Sequence, residues 1–215
     1  MNFSPVRVIK VGGSLLTFDE LPSAFSRWLA AQPAARNVVV VGGGELADAV
    51  RAADARFELG DEVCHELCLQ LLGVSSRLFA GILQQHDSNS DVRLFDRFSE
   101  LRLAISKSLQ PAVWIFDPRD FVRADEKDEH SAGREPLPHS WDVTSDSIAL
   151  RLSIVLAADE VVLLKSNSLD GHLSARAAAD AGFVDRHFQK LAAGVPRIRY
   201  VNLRATNWDE REIHS

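Results

Sequence analysis

A lysine that closes a β-branched run and is followed at once by glycines is a poor arrangement for a sheet unless the ammonium has an anion to meet. Lys10 stands in this position in VIKVGGSLL (Val8–Leu16), with Gly12, Gly13 and Ser14 behind it. A second run, NVVVV from Asn37 to Val41, leads into Gly42, Gly43 and Gly44. Glycine allows positive φ and close approach of the backbone, and a helix N-terminus just beyond adds favourable dipole charge. Two such turns at the carboxyl ends of neighbouring parallel strands can aim their N–H groups into one space, where the Lys10 ammonium reaches a transferring phosphoryl oxygen. The competing reading is that Lys10 snorkels from a sheet edge and the glycines only make tight turns.

A third group lies far along the chain. SWDVTSDSIAL, Ser140 to Leu150, crowds hydroxyls and carboxylates at the start of a helical pattern: Thr144 or Ser145 can cap it, and Asp142 and Asp146 stand one turn apart. A carboxylate beside ammonium groups orients them without being consumed, which suits phosphoryl transfer, a reaction run by positioning and charge stabilisation. Lys165, closing VVLLK, mirrors Lys10. Read alone, the cluster could equally be a helix cap with no further duty. Neither GxxxxGK[ST] nor GxGxxG occurs, so these residues reach an α/β protein with a phosphate site and leave a kinase and a nucleotide-binding module both open.

Histidine and cysteine add little. In CHELC, Cys64 to Cys68, adjacent helical positions diverge by about 100° and no second cysteine pair follows, so no metal site is expected. His65 is either a pocket wall or an ordinary half-buried residue, and the two thiols are expected free in a reducing compartment. His130 and His139 flank a polar stretch and read as surface residues unless that stretch closes on a phosphate.

The elements that must position these groups follow from periodicity. Buried strands are expected at Val6–Val11, Asn37–Val41, Ala112–Phe116 and Val161–Lys165, a short edge strand at Val92–Phe95, and a closing strand at Arg197–Leu203. Helices are expected from Asp19 to about Ala31, after Gly44, at Gly60–Leu72, at Ser75–Leu83, at Ser99–Leu109, at Val143–Ala158, at Ser174–Ala181 and around Asp185–Leu191. Residues 124–140 carry almost no large apolar group and read as a mobile loop or lid with little share in the core, and NWDEREIHS reads as a loose tail. Strand, glycine turn and helix repeated twice at the start indicate an α/β fold with right-handed crossovers.

With 215 residues, 46% hydrophobic and 25% charged, the chain suits one globular domain and excludes wholesale disorder. A formal charge of −6 argues against a polyanion partner, and Trp28, Trp114, Trp141 and Trp208 lack the interleaved basic residues of a nucleic-acid platform. No segment approaches about 18 uncharged apolar residues and no leader is evident, so a cytoplasmic protein without a membrane partner is expected.

KVGGSLL (Lys10–Leu16), VVVVGGGELADAVR (Val38–Arg51) and WDVTSDSIAL followed by VVLLKS together resemble the amino acid kinase family, which includes acetylglutamate, aspartate, uridylate and isopentenyl phosphate kinases. The match spans roughly residues 6–171. Its short length, TSDSIAL and the segment around His65 look most like the small kinases of methanofuran biosynthesis, which convert an aminomethylfuran methyl phosphate to the diphosphate. The resemblance implies a three-layer α/β/α fold with a largely parallel sheet, ATP and Mg2+ as co-substrate and cofactor, and usually a homodimer built through the N-terminal half. It implies an acceptor side in about 1–123, the polar loop 124–140, and a nucleotide side in about 141–205. Lys10, Asp146 and Lys165 would be catalytic, with Lys10 on the transferring group and Asp146 organising the lysines. Gly12, Gly13, Ser14, Gly42, Gly43, Gly44 and His65 would bind phosphate and acceptor, and Thr144, Ser145, Lys165, Ser166 and Gly171 the nucleotide. The acceptor would be a small phosphate, with a carboxylate or carbamate as the alternative, and a non-catalytic phospho-ligand-binding protein on the same fold as the rival. Two departures support that rival: LLKSNSLDG replaces the usual threonine-aspartate nucleotide segment, and the distal GGMxxK-like lysine is missing, leaving Lys165 or Lys190 to replace its charge.

Overall fold

Strands buried on both faces need helices on both faces, and the computed structural model of the chain has that form. It describes residues 4–87, 92–127, 135–171 and 173–215. Seven strands, β1 (Val6–Val11), β2 (Arg36–Val41), β3 (Val92–Phe95), β4 (Ala112–Phe116), β5 (Glu160–Lys165), β6 (Ile198–Asn202) and β7 (Asp209–Glu212), form one sheet in the order β3-β4-β2-β1-β5-β6-β7. All pairs are parallel except β6 with β7. The helices are α1 (Leu21–Ala30), α2 (Glu45–Phe57), α3 (Asp61–His86), α4 (Phe98–Lys107), α5 (Arg119–Glu126), α6 (Ser145–Leu156), α7 (Ala175–Asp180) and α8 (Phe188–Ala192).

Alternation along the strands divides the interior. Val8, Val38, Val40, Val161 and Leu163 join a core closed by α4, α5, α6, α7, α8 and Leu69 and Leu72 of α3. Ile9, Val11, Val39, Val41, Val162 and Leu164 join the opposite core, with Phe25 and Trp28 of α1 and Phe79 and Leu83 of α3. The result is the three-layer α/β/α sandwich. Continuous apolar runs in β1, β2 and β5 are what burial on both faces requires. Lys10 and Lys165 share parity with Val8 and Leu163, so both face the layer that contains α6.

β1 is the middle strand. From it the chain steps one way to β2 and, much later, the other way to β5, so a crevice opens beyond the carboxyl end of β1 where the crossovers diverge. The two glycine turns and the start of α6 all lie at this end.

Three expectations need correction. The two helices expected at Gly60–Leu72 and Ser75–Leu83 are one 26-residue helix, α3, running through Gly73. A Cβ at Gly73 would stand 2.6 Å from both Arg119 Nε and Asp117 Oδ2, so that glycine admits the Asp117–Arg119 ion pair rather than ending the helix. The tail is not loose: β7 pairs with β6, the Tyr200 hydroxyl donates to Asp209 at 3.1 Å, Arg199 pairs with Glu210, and Ile213 is buried. The stretch 124–140 does take part in the interior. Its first residues finish α5, Asp125 forms a fully buried ion pair with Arg151 at 3.0 Å, and Leu137 is in the core. Residues 128–134, with His130, lie outside the described residues.

Candidate active site

The centre is a carboxylate held between two lysines. Thr144 is the N-cap of α6, its hydroxyl accepting from the Asp146 amide at 3.4 Å, which places Asp146 in the first turn, facing the sheet. Lys10 Nζ lies 2.8 Å from Asp146 Oδ1. Lys165 Nζ donates to both carboxylate oxygens, at 3.1 and 2.9 Å, and to the Phe183 carbonyl at 2.7 Å. All three side chains are buried. Burial raises the Asp146 carboxyl, but Lys10 and then Lys165 overcome it, and the group falls to about 2. Burial also lowers the Lys165 ammonium to about 8, with the charge of Lys10 adding to the shift and Asp146 opposing it. Two ammonium groups share the Asp146 carboxylate between them at the end of the sheet, an arrangement able to gather phosphate oxygens.

The two glycine turns touch. A Cβ at Gly13 would fall 2.0 Å from the Gly44 nitrogen, and one at Gly44, whose φ is +54°, would fall 2.5 Å from the Gly13 oxygen. No larger residue fits either place without parting the turns. Gly42 is needed for another contact: its Cβ would meet Ser145 Oγ at 2.9 Å and Lys10 Cε at 3.4 Å. The amides divide their duties. Gly12 N donates to Leu164 O and Gly42 N to Val11 O, extending the sheet, so these two N–H groups are not free for an anion. Gly43 and Gly44 have no backbone acceptor among the described residues, and Gly13 and Ser14 open a 3-10 turn whose first N–H groups have none within it.

Two recesses adjoin this centre. One is mostly apolar, lies between α2, α3 and α6, and is lined by Gly43, Ala47, His65, Leu69, Ser145 and Ile148 among others. The second, more open and more polar, lies across Thr144 and Asp146 from Phe183, Asp185 and Gln189. Trp141 borders both; its indole donates to Asp54 at 2.9 Å and lies under the Arg51 guanidinium at 4.6 Å.

Of the residues expected from sequence, Lys10, Gly12, Gly13, Gly42, Gly43, Gly44, Thr144, Ser145, Asp146 and Lys165 meet at the carboxyl end of β1. Ser14 and Ser166 join their hydroxyls at 2.9 Å on the rim. His65 is a wall of the apolar recess. Gly171, with φ of +84°, is exposed on the loop after β5 and borders neither recess. Lys190 borders a separate groove with Arg151 and His187, so of the two candidate replacement lysines only Lys165 is at the centre. Asp142 is outside α6.

Sequence reasoning missed Asp185. Its carboxylate accepts from the amides of Thr144, Ser147 and Phe188, at 2.9, 3.0 and 3.0 Å, and from the hydroxyls of Thr144 and Ser147. Burial and the negative charge of Asp146 push its pKa up, against the hydrogen bonds from Ser147 and Thr144. A lone aspartate ahead of a short helix carries little signal; its partners at the start of α6 are 38 to 41 residues away. Arg204 was also missed: it donates to Ser14 O at 3.1 Å and stands over Phe18.

Known proteins are similar to this chain in sequence and in fold. A curated relative, the [5-(aminomethyl)furan-3-yl]methyl phosphate kinase of Methanocaldococcus jannaschii, is 25% identical over 167 residues, 77% of this chain and 67% of its own. UMP kinase from Ureaplasma parvum superposes with a TM-score of 0.67 at 13% identity, covering 99% of this chain and 100% of that one. Aspartate kinase from Synechocystis gives 0.60 at 16% identity, covering 97% of this chain and 40% of its own. At such identities the structural matches speak for the fold. The sequence profile of the amino acid kinase family matches residues 5–168, most of the length, and the chain belongs to that family.

Proposed function

We propose that this kinase transfers the γ-phosphoryl group of ATP to the phosphate of a small acceptor seated in the apolar recess, giving a diphosphate and ADP. The observation that carries the reading is the pair of buried ammonium groups on Asp146 at the meeting point of two glycine turns. The acceptor tested first is [5-(aminomethyl)furan-3-yl]methyl phosphate, the compound in the relative's name. A flat ring with a phosphate arm suits a recess with apolar walls that ends at Gly43 and Ser145.

Each residue has a role in this reading. Gly43 and Gly44 amides hold the acceptor phosphate, Gly13 and Ser14 amides line the transfer path, and Lys10 neutralises charge on the transferring group. Lys165, whose donors are held by Asp146 and the Phe183 carbonyl, offers the nucleotide's phosphates its positive charge in place of the missing distal lysine, with Thr144, Ser145 and Ser166 alongside. Asp146 fixes both ammonium groups and Asp185 fixes the turn that presents Asp146. Gly12 and Gly42 keep the turns thin, His65 walls the acceptor recess, and Gly171 has no part. An acceptor phosphate is already ionised near neutral pH, so no general base is needed. Its oxygen forms the new bond to the γ-phosphorus while the bond to the β-phosphate oxygen breaks and ADP leaves.

Magnesium would supply charge neutralisation on the nucleotide's phosphates. Asp146 and Asp185 already accept hydrogen bonds from Lys165, Thr144 and Ser147, so the ATP phosphates would be the main holders of the ion. A cytoplasmic setting accords with this reading, and Cys64 and Cys68, one turn apart on α3, are poorly placed for a disulfide in any setting. The outward face of α3 carries Val63, Leu67, Val74 and Leu78, all exposed, a stripe that supports a homodimer with α3 against its own copy.

ADP release measured with ATP, Mg2+ and a panel of phosphate monoesters, beside matched carboxylates, tests the reading. The furan phosphate is expected to give the highest turnover, and Lys10→Ala to lower turnover about 10²–10³-fold with the melting temperature retained. Carboxylate preference would move the acceptor class. ADP release independent of any acceptor, or a fully active Lys10→Ala, would remove the mechanism.

A further inference from the structure

At the outer wall of the acceptor recess, two histidines distant in sequence stack on each other. The rings of His65, from α3, and His139, from the segment before α6, lie 3.8 Å apart between centroids and within 11° of parallel. Both direct Nε2 at one atom, Glu126 Oε1 at the end of α5, at 2.7 Å from His65 and 3.1 Å from His139. The nearest ligand-capable atoms of the three residues all lie within 4.8 Å of one another. Each side chain is half-buried, and His65 faces the recess.

We propose that His65, Glu126 and His139 form a binding site for a divalent transition-metal ion of the zinc class, placed at the mouth of the acceptor recess. The donor set is two imidazoles and a carboxylate, which suits zinc and cobalt and is a poor match to the all-oxygen preference of magnesium. His139 Nδ1 meets Glu62 Oε2 at 2.8 Å, so a second carboxylate orients that ring from behind and makes Nε2 the better donor, the usual outer partner of a metal-bound histidine. Glu62 and Glu126 have no lysine or arginine partner in an ion pair among the described residues. Both ring nitrogens of His139 face carboxylate oxygens, so in the metal-free chain a proton bridges the contact that a dication would take over.

Coordination at about 2.0–2.1 Å in a tetrahedron requires donor spacings near 3.3 Å. The rings must open from parallel by side-chain rotation and close in by about an ångström, which half-exposed side chains do without moving the helices. Three protein ligands leave the fourth position for water or a group of the occupant of the recess. The ion would join α3, α5 and the segment ahead of α6, which otherwise meet here only through side chains.

The test uses the full chain, stripped with chelator, without ATP or acceptor, so its result is independent of the kinase reading. Titration with Co2+ is expected to give one equivalent per chain with intense visible ligand-field bands of a tetrahedral site, bleached by Zn2+ and unaffected by excess Mg2+. His139→Ala and Glu126→Gln are expected to weaken binding by about 100-fold or more, and Glu62→Gln by about tenfold, with metal-free melting temperatures near that of the parent. Equal binding by the parent and by the His139→Ala, Glu126→Gln double variant would place the ion elsewhere and overturn the assignment. So would weak pale binding typical of octahedral cobalt, or no binding, which would leave a hydrogen-bonded histidine pair.

Discussion

Lys165 is the residue at which charge and burial conflict most, and its titration separates activity from stability. Stripped of water, its ammonium loses its proton near pH 8 in the folded chain, against an ordinary value of 10.5. Above that pH the centre loses one of its two positive charges, so kcat/KM for ATP, which reports the free enzyme, is expected to fall towards tenfold per pH unit. If phosphates bind beside the ammonium, kcat is expected to hold to higher pH. Stability moves the other way for this group: between about 8 and 10.5 the unfolded chain binds the proton that the folded chain has released, so rising pH adds stability. Asp146 behaves as a depressed carboxylate. Its contribution is complete above about pH 4 and disappears as pH falls through about 2. Parallel pH profiles of kcat/KM and of unfolding check this, and a flat kcat/KM from pH 7 to 10 would remove Lys165 from the nucleotide side. At this scale the sequence was informative where a residue type was unusual for its place, as with Lys10 in an apolar strand. It was silent on Asp185 and on the His65–His139 stack, whose partners come together only through tertiary contact.

The two glycine turns act as one element, and their contact sets a comparison between glycines. Gly13→Ala would press a methyl group to 2.0 Å from the Gly44 nitrogen, backbone against backbone, with no flexible side chain to yield. Gly171, unlike Gly13, has a positive φ, but nothing lies within 4 Å of its Cβ position, so Gly171→Ala carries backbone strain alone, about 1 kcal/mol. Expected in thermal melts and in ADP release is near-parent behaviour for Gly171→Ala. For Gly13→Ala the expectation is a loss of at least 10²-fold in turnover through misplacement of the amides. Similar activity for the two variants would show that the turns need not touch. Elements with an apolar period were legible, as in β1, β2, β4, β5 and α6. Those closed by charge were not: β7 is held by ion pairs and a tyrosine hydroxyl, and α3 continues through a glycine because an ion pair packs on it.

For the molecule as a whole, the acidic net charge keeps copies apart while α3 offers one apolar stripe, Val63, Leu67, Val74 and Leu78. In a two-fold pair each stripe meets itself, so a single charge introduced at its middle appears twice in the interface. Leu67→Asp is expected to convert a dimer to a monomer in sedimentation analysis without lowering the melting point of the monomer; an unaltered dimer would place the interface elsewhere. The architecture and its ligand crevice were legible because strand, glycine turn and helix recur in order, whereas the polar stretch before α6 left a mobile loop and a lid both open, and Leu137, Ser140 and Trp141 line the apolar recess. The central place of β1 has a consequence for biosynthesis. Lys10 and both glycine turns leave the ribosome ahead of Glu160–Lys165, the neighbour on one side of β1, which is made only after some 150 further residues. Until then the nascent VRVIKV segment presents a bare edge, open to pairing with other chains and in need of cover by chaperones.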